Sequence, residues 1–303
     1  MSDRFDFLEL DDGPVPAAKM DVQQEVTTDS TSFTRLRAVE VIGSKGSDVG
    51  QFNEPTGLAV DNDGTLFVSD TGNHRVQRIL MNGDVQVFGS AGSGKNEMLG
   101  PSAVTVHPLG QMFYVADQGN HRVLVFRTNG AANQITKVCR GPCSVALDSE
   151  GALWIADSIG ERVVRVDATT GIVMGGLDRS MGIVRPISVA CDKLKNIYVT
   201  DGSTNDVTRY TFFGQRLRAL GELRKLHGPR QTAVDSLGRI YVTEQGVGRL
   251  HVFSSEGQSL AIVETPTSKL GPLNQPSGVA IGPKGEVYVS DSNNHRILRF
   301  AWE

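Results

Sequence analysis

The chain has 303 residues, is 39% hydrophobic and 21% charged, and carries a formal net charge of −4. These values exclude a chain that is disordered throughout, and no apolar run approaches the roughly 20 residues a membrane-spanning helix needs. The charge is uneven: residues 1–36 hold eight acidic and three basic side chains, leaving 27 basic against 26 acidic in the rest.

Residues 1–35 are acidic and free of repeats. They are expected to form a disordered tail, because such a composition cannot bury enough apolar surface to fold alone. Its opening cluster of Phe5, Phe7, Leu8 and Leu10 among acids reads either as a docking element for another protein or as an inert extension. The first residues lack the basic start and apolar run of a secretory signal, so a cytoplasmic protein is expected, with no membrane association.

From residue 36 onward the pattern becomes one of short strands. LRAVEVI at 36–42 predicts a strand with no partner close in sequence. Next comes PTGLAVDNDGTLFVSDTGNHRVQRIL at 55–80: a proline, an apolar strand, a turn ending in Gly, a second strand ending in Asp, a loop, and an Arg opening a third strand. In D-N-D-G at 61–64 the Asp opens the turn by accepting from backbone amides, and Gly supplies the positive φ at its end; D-S-E-G at 148–151 and D-S-L-G at 235–238 repeat it. Prolines recur at 55, 101, 142, 186, 229 and 276, and the closing acid at Asp70, Asp117, Asp157, Asp201, Glu244 and Asp291, in steps of 40 to 47 residues. That period is one four-stranded propeller blade, and six periods fill the chain. The sequence therefore predicts an all-β, six-bladed β-propeller of four-stranded antiparallel blades over 36–303. Its last blade ends one strand short at RILRFAWE, so the strand at about 36–42 is expected to complete it and close the ring, hiding two sheet edges. Small alanines at 59, 146, 190, 233 and 280 suit a crowded innermost strand near the axis.

Further along the chain, GSAGSGKN at 89–96 nearly matches the phosphate-binding pattern G-x-x-x-x-G-K-[ST]. Asn96 stands where the hydroxyl is needed and no helix follows, so it reads as a connection between blades. Cys139 and Cys143 lie in C-R-G-P-C, without a second Cys or His pair to complete four-coordinate zinc. With Cys191 they read as buried thiols of a reducing compartment. Between the fourth and fifth units, Arg209, Arg216, Arg218, Arg224, Lys225 and Arg230 are interleaved with Tyr210, Phe212 and Phe213. Such a run can neutralise phosphates and stack bases, or simply be a solvated strand whose alternation sends its charges to both faces.

The chain resembles the NHL-repeat family, on GQFNEPTGLAVDNDGTLFVSDTGNHRVQRI at 50–79 and NQPSGVAIGPKGEVYVSDSNNHRILRF at 274–300, with weaker copies between. The resemblance covers about residues 37–303 and implies the propeller fold; for function it implies several unrelated roles. It implies that Asp and Arg of the Asp-x-x-Asn-His-Arg motif pair and tie loop to strand, as at Asp70–Arg75, Asp117–Arg122 and Asp291–Arg296, with Arg162 and Arg249 in two further blades and Asp206 breaking the pattern in the fourth. Histidines at equivalent places on different blades are spread round the ring, which speaks against a shared metal.

In such a propeller the blade connections and the second-to-third-strand loops share the top face, where ligands bind at the mouth of the axis. The expected binding residues there are Thr56, Ser102, Arg230, Gln231 and Ser277, with Asn73, His74, Asn120, His121, Asn294 and His295 from the loops. Cys143 and Ile187 complete the ring of residues that follow the prolines. This ring lacks the acids of the calcium-dependent lactonase propellers and the histidines of the zinc-dependent amidating lyases. The expectation is a monomeric, non-catalytic binding or scaffold module without a cofactor or bound metal, recognising a protein or peptide on its top face. An RNA-binding propeller using the 209–230 segment is the alternative, as some tripartite-motif NHL propellers do, and a metal-dependent hydrolase or lyase is the third.

Overall fold

A computed structural model describes residues 36–130, 132–135, 138–220 and 225–303. The expected tail at 1–35 and Arg224 lie outside the described residues. The structure is a six-bladed propeller, each blade a four-stranded antiparallel sheet. In the first blade the strands are Pro55–Val60, Leu66–Asp70, Arg75–Ile79 and Val85–Phe88, running from the axis outward. The next four blades repeat this order. The sixth contains three strands from the C-terminal end, and the strand Leu36–Ile42 pairs with Arg296–Trp302 to complete it.

The elements follow from local chemistry. The second strands are buried at nearly every position, as befits a strand covered on both faces by neighbouring blades. The inner turns form as the sequence expects: Asp61 Oδ1 accepts from the amides of Asp63 and Thr65, and Asp148 and Asp235 repeat the arrangement.

The core lies between the blades. Six apolar clusters fill the six junctions, each joining one blade's outer face to the next. Ala59, Ala190 and Ala280 belong to these junction clusters. The tightest approach near the axis falls instead at glycines: a Cβ on Gly57 would stand 2.4 Å from the Ala103 Cα, and one on Gly278 would stand 2.0 Å from the Thr56 carbonyl oxygen. There the innermost strands of adjacent blades meet backbone to backbone.

Candidate binding site at the top of the axis

The repeated acid organises the top of each blade. Asp70 is fully buried; its Oδ1 accepts from the Asn53 amide at 2.7 Å, and its Oδ2 from Asn73, Arg75 and Gln77 at 2.7–3.0 Å. Asp117 and Asp291 repeat this with Asn120 and Arg122, and with Asn294 and Arg296. In the fifth blade Glu244 takes the Asp position and accepts from Arg249 and His251. Burial pushes the Glu244 carboxyl up, but these bonds more than offset it and hold it below its ordinary value. The fourth blade has no arginine to offer: Asp201 lies opposite Asp206, and its carboxylate accepts from the amides of Val184, Arg185 and Ser203.

The histidines lock blades together. His74, His121 and His295 each end a short 3-10 turn in the left-handed conformation, near φ 55°. The Nδ1 atoms of His74 and His295 accept from the amides of Gly100 and Glu54, while that of His121 bonds the Arg140 carbonyl. Each ring thus ties its loop to the connection that precedes a neighbouring blade's proline. The predicted loop residues Asn73, Asn120 and Asn294 likewise turn their amides inward. Among the described residues no group of three or more His, Cys, Asp or Glu could hold a metal.

At the axis the residues that follow the prolines converge as expected. Thr56, Ser102, Cys143, Ile187, Arg230, Gln231 and Ser277 all line one narrow pocket. Several of them are spent on the ring itself. Thr56 donates to the Ser102 carbonyl, Ser102 to that of Cys143, and Cys143 to that of Pro186. The circle continues through Thr200 with Thr232, Thr243 to Ser277, and Ser290 back to Thr56. Burial pushes the Cys143 thiol up to about 11, so it stays protonated at neutral pH.

Arg230 differs from its neighbours. It is half-buried, lines the axial pocket, and has no hydrogen bond or ion pair among the described residues. From it a cleft of about 400 Å³ opens across the top face, lined by residues of the second to fifth blades and by Gln275 at the entry to the sixth. Its lining includes a second cation, Arg185, and the amides of Gln118, Asn205, Gln245 and Gln275, but no carboxylate. The sequence marked Arg230; it did not mark Arg185 or these amides, which come from separate loops without a common motif.

The predicted basic run does not converge. Arg209 lies directly opposite Arg218 on adjacent strands, and both donate to carbonyls of the Ser254–Gln258 turn, at Ser255 and Glu256. That turn belongs to the lower face, whereas Arg230 stands at the top. Arg216 and Lys225 are exposed. Phe212 stacks under the Arg165 guanidinium at 4.6 Å, so it is spent on packing, while Phe213 is exposed on the lower face.

Fold and site together define a propeller whose top face holds a cationic, amide-lined cleft. The NHL repeat model matches residues 52–79 and 273–300, so the β-propeller carries NHL repeats at these two places. Human E3 ubiquitin-protein ligase TRIM32 is 24% identical over 298 residues, covering 86% of this chain and 44% of that protein. The Protein brain tumor of Drosophila melanogaster is 26% identical over 135 residues, covering 43% of this chain and 13% of that protein. The chain thus spans less than half the length of these two curated relatives. A gluconolactonase from Xanthomonas campestris superposes with a TM-score of 0.68 at 17% identity, covering 95% of this chain and 98% of that one, which shows shared fold alone. No helix among the described residues is long and apolar enough to cross a membrane.

Proposed function

We propose that this propeller is a non-catalytic binding module whose top-face cleft holds an extended, acidic segment of a protein partner, with Arg230 as its anchor. The observation that carries the reading is the half-buried Arg230 guanidinium, which has no partner within the described chain and sits beside a cleft lined by amides and a second arginine. A planar guanidinium in a partly desolvated site favours a carboxylate that meets two of its N–H groups at once. The surrounding side-chain amides suit the alternating carbonyls and amides of an extended backbone. In this reading the protein is cytoplasmic and monomeric, and the ligase activity in the name of TRIM32 stays with that longer protein. Nucleic acid is the less favoured ligand, because the predicted basic run is divided between two faces.

The test is affinity capture from lysate of the source cell with the full chain and its Arg230→Ala and Arg185→Ala variants, each with and without nuclease. The expected result is a protein partner that survives nuclease and is lost at least ten-fold with Arg230→Ala. Capture indifferent to both arginines would sink the reading. Recovery of RNA that weakens steeply with salt would replace it with the nucleic-acid alternative.

A further inference from the structure

Each blade is entered by a connection whose last two amides before the proline follow a pattern. The residue two before the proline donates to its own blade's closing acid in every blade: Asn53, Leu99, Arg140, Val184, His227 and Asn274. The residue directly before the proline varies. At the first and second blades its amide, from Glu54 or Gly100, goes to the histidine of the preceding blade's loop, His295 or His74. At the third and fourth, the amides of Gly141 and Arg185 share the closing acid with their neighbours. At the fifth and sixth, the amides of Gly228 and Gln275 have no acceptor among the described residues.

The cause lies in the preceding loops. The histidine stands one residue before the residue that faces the closing acid in register, as His74 does before Arg75 opposite Asp70. The same count gives Asn205 in the fourth blade and Gly248 in the fifth. Both keep the left-handed backbone of the histidines, at φ 54° and 65°. Gly248 has no side chain to offer, and the Asn205 carboxamide makes no hydrogen bond among the described residues. Two amides are thereby left open, and Gly228 and Gln275 both line the cleft that opens from Arg230.

The main-chain acceptors around them are already used. The Gly228 carbonyl accepts from the Gln245 amide, the His227 carbonyl from the Gly246 amide, and the Gln275 carbonyl from the Ser277 hydroxyl. The Gly202 carbonyl accepts from the Arg185 guanidinium. The main chain of the cleft thus offers donors and has spent its acceptors. An acid inside a chain brings peptide N–H groups on both sides that need acceptors of their own. A chain end brings two carboxylate oxygens and no peptide beyond them, and main-chain amides are a known seat for such ends. Inward of Arg230 the axial pocket holds only about 20 Å³, room for a water and not for more chain.

We infer, on the top-face reading proposed above, that the group Arg230 takes is the C-terminal carboxylate of the partner. The carboxylate is shared between the Arg230 guanidinium and the Gly228 amide, and a carbonyl of the residues before it rests on the Gln275 amide. Gly228 and Arg230 stand two residues apart on one connection, whereas Gln275 belongs to the next blade's connection. A single carboxylate therefore takes the first amide, and the chain leading to it passes over the second.

Three probes test this by NMR titration of the full chain: N-acetyl-triglycine with a free carboxylate, its C-terminal amide, and N-acetyl-Gly-Asp-Gly amide, which carries the same single charge inside the chain. The free acid should bind at least five-fold tighter than either amide, and Arg230→Ala should abolish that binding. With the free acid bound, hydrogen exchange at the Gly228 amide should slow at least five-fold. In Asn205→His, which brings to the Gly228 amide the kind of ring that covers Gly100, the free acid should bind at least five-fold more weakly. Equal or tighter binding of the Gly-Asp-Gly amide, still abolished by Arg230→Ala, would overturn the chain-end assignment and leave the Arg230 anchor standing. No detectable binding of the free acid would also overturn the chain end, and binding of both acids indifferent to Arg230→Ala would overturn the anchor as well. Gly228 exchange unchanged by the free acid, or free-acid affinity unchanged in Asn205→His, would remove Gly228 from the site.

Discussion

Arg299 donates from Nε to the Glu40 carboxylate at 2.6 Å, a contact across 259 residues that fastens the first strand to the last. The same first strand places Leu36 and Ala38 in the cluster between blades five and six, and Ile42 in the cluster between blades six and one. Removing residues 1–42 should therefore cost at least about 4 kcal/mol, from the burial of Leu36 and Ile42 alone, and should expose two sheet edges. Removing 1–34 should change stability by no more than about 0.5 kcal/mol. Urea denaturation of the two truncations, with light scattering for aggregation, separates these outcomes.

The acid–arginine pairs should not contribute equally. Arg75 and Arg122 are largely buried against fully buried carboxylates at 2.7 and 2.8 Å, whereas Arg162 is about half exposed and 3.6 Å from Asp157. Losing one partner of a buried pair leaves an uncompensated charge, so Arg75→Ala or Arg122→Ala should cost about 3–5 kcal/mol. Arg162→Ala should cost less than about 1 kcal/mol. Chemical denaturation midpoints of the three variants check the ranking.

Acid should weaken the propeller through its buried carboxylates. Burial raises Asp148, Asp201 and Glu244, but bonds from Arg165, from Ser203 and neighbouring amides, and from His251 and Arg249 outweigh it, so all three lie below their ordinary values. A depressed folded value means the contribution is fully present above the unfolded value and is lost as pH falls through the folded one. Stability should hold from neutrality down to the ordinary values of 3.8 and 4.5 and decline below them. Glu244→Gln should flatten part of that decline. Thermal melts between pH 7 and pH 3 read it directly.

The thiols should be inert in the folded protein. Burial pushes Cys139 up to about 12 and Cys143 to about 11, which leaves the thiolate of Cys143 at about one part in a thousand at pH 8. Iodoacetamide at that pH should label neither residue appreciably until urea unfolds the chain, as followed by intact mass.

The single observation behind the top-face reading also predicts stability. Arg230 makes no internal bond among the described residues, so Arg230→Ala should leave the denaturation midpoint within about 0.5 kcal/mol of the natural chain while abolishing capture of the partner. A clear loss of stability would mean that the side chain serves the fold.

Much of the architecture was legible because propeller blades are local objects. Five of the six blades each form from one continuous stretch of chain, so proline and closing acid recur every 40 to 47 residues, and the strand the sixth blade takes from the other end of the chain announces itself by counting. The ring at the axis was legible for the same reason, since equivalent positions on a circle must face one another. The roles of the histidines and asparagines were not. Whether His74 faces solvent or the Gly100 amide depends on where the next blade's connection passes. The division of the basic run between faces was visible only in part: alternation separates sides of a sheet, and does not say that Arg209 and Arg218 reach the same turn.

The sequence by itself determined the blade count, the strand order within each blade and the closure of the ring, because these depend on period, turn chemistry and hydrophobic alternation within a short stretch of chain. The tertiary structure alone decided which polar groups are left over once the blades have met. Arg230 has no hydrogen-bond or ion-pair partner among the described residues, and Arg185 joins it across the cleft. Such surpluses arise from distances between residues of different blades, and no spacing along a single strand encodes them.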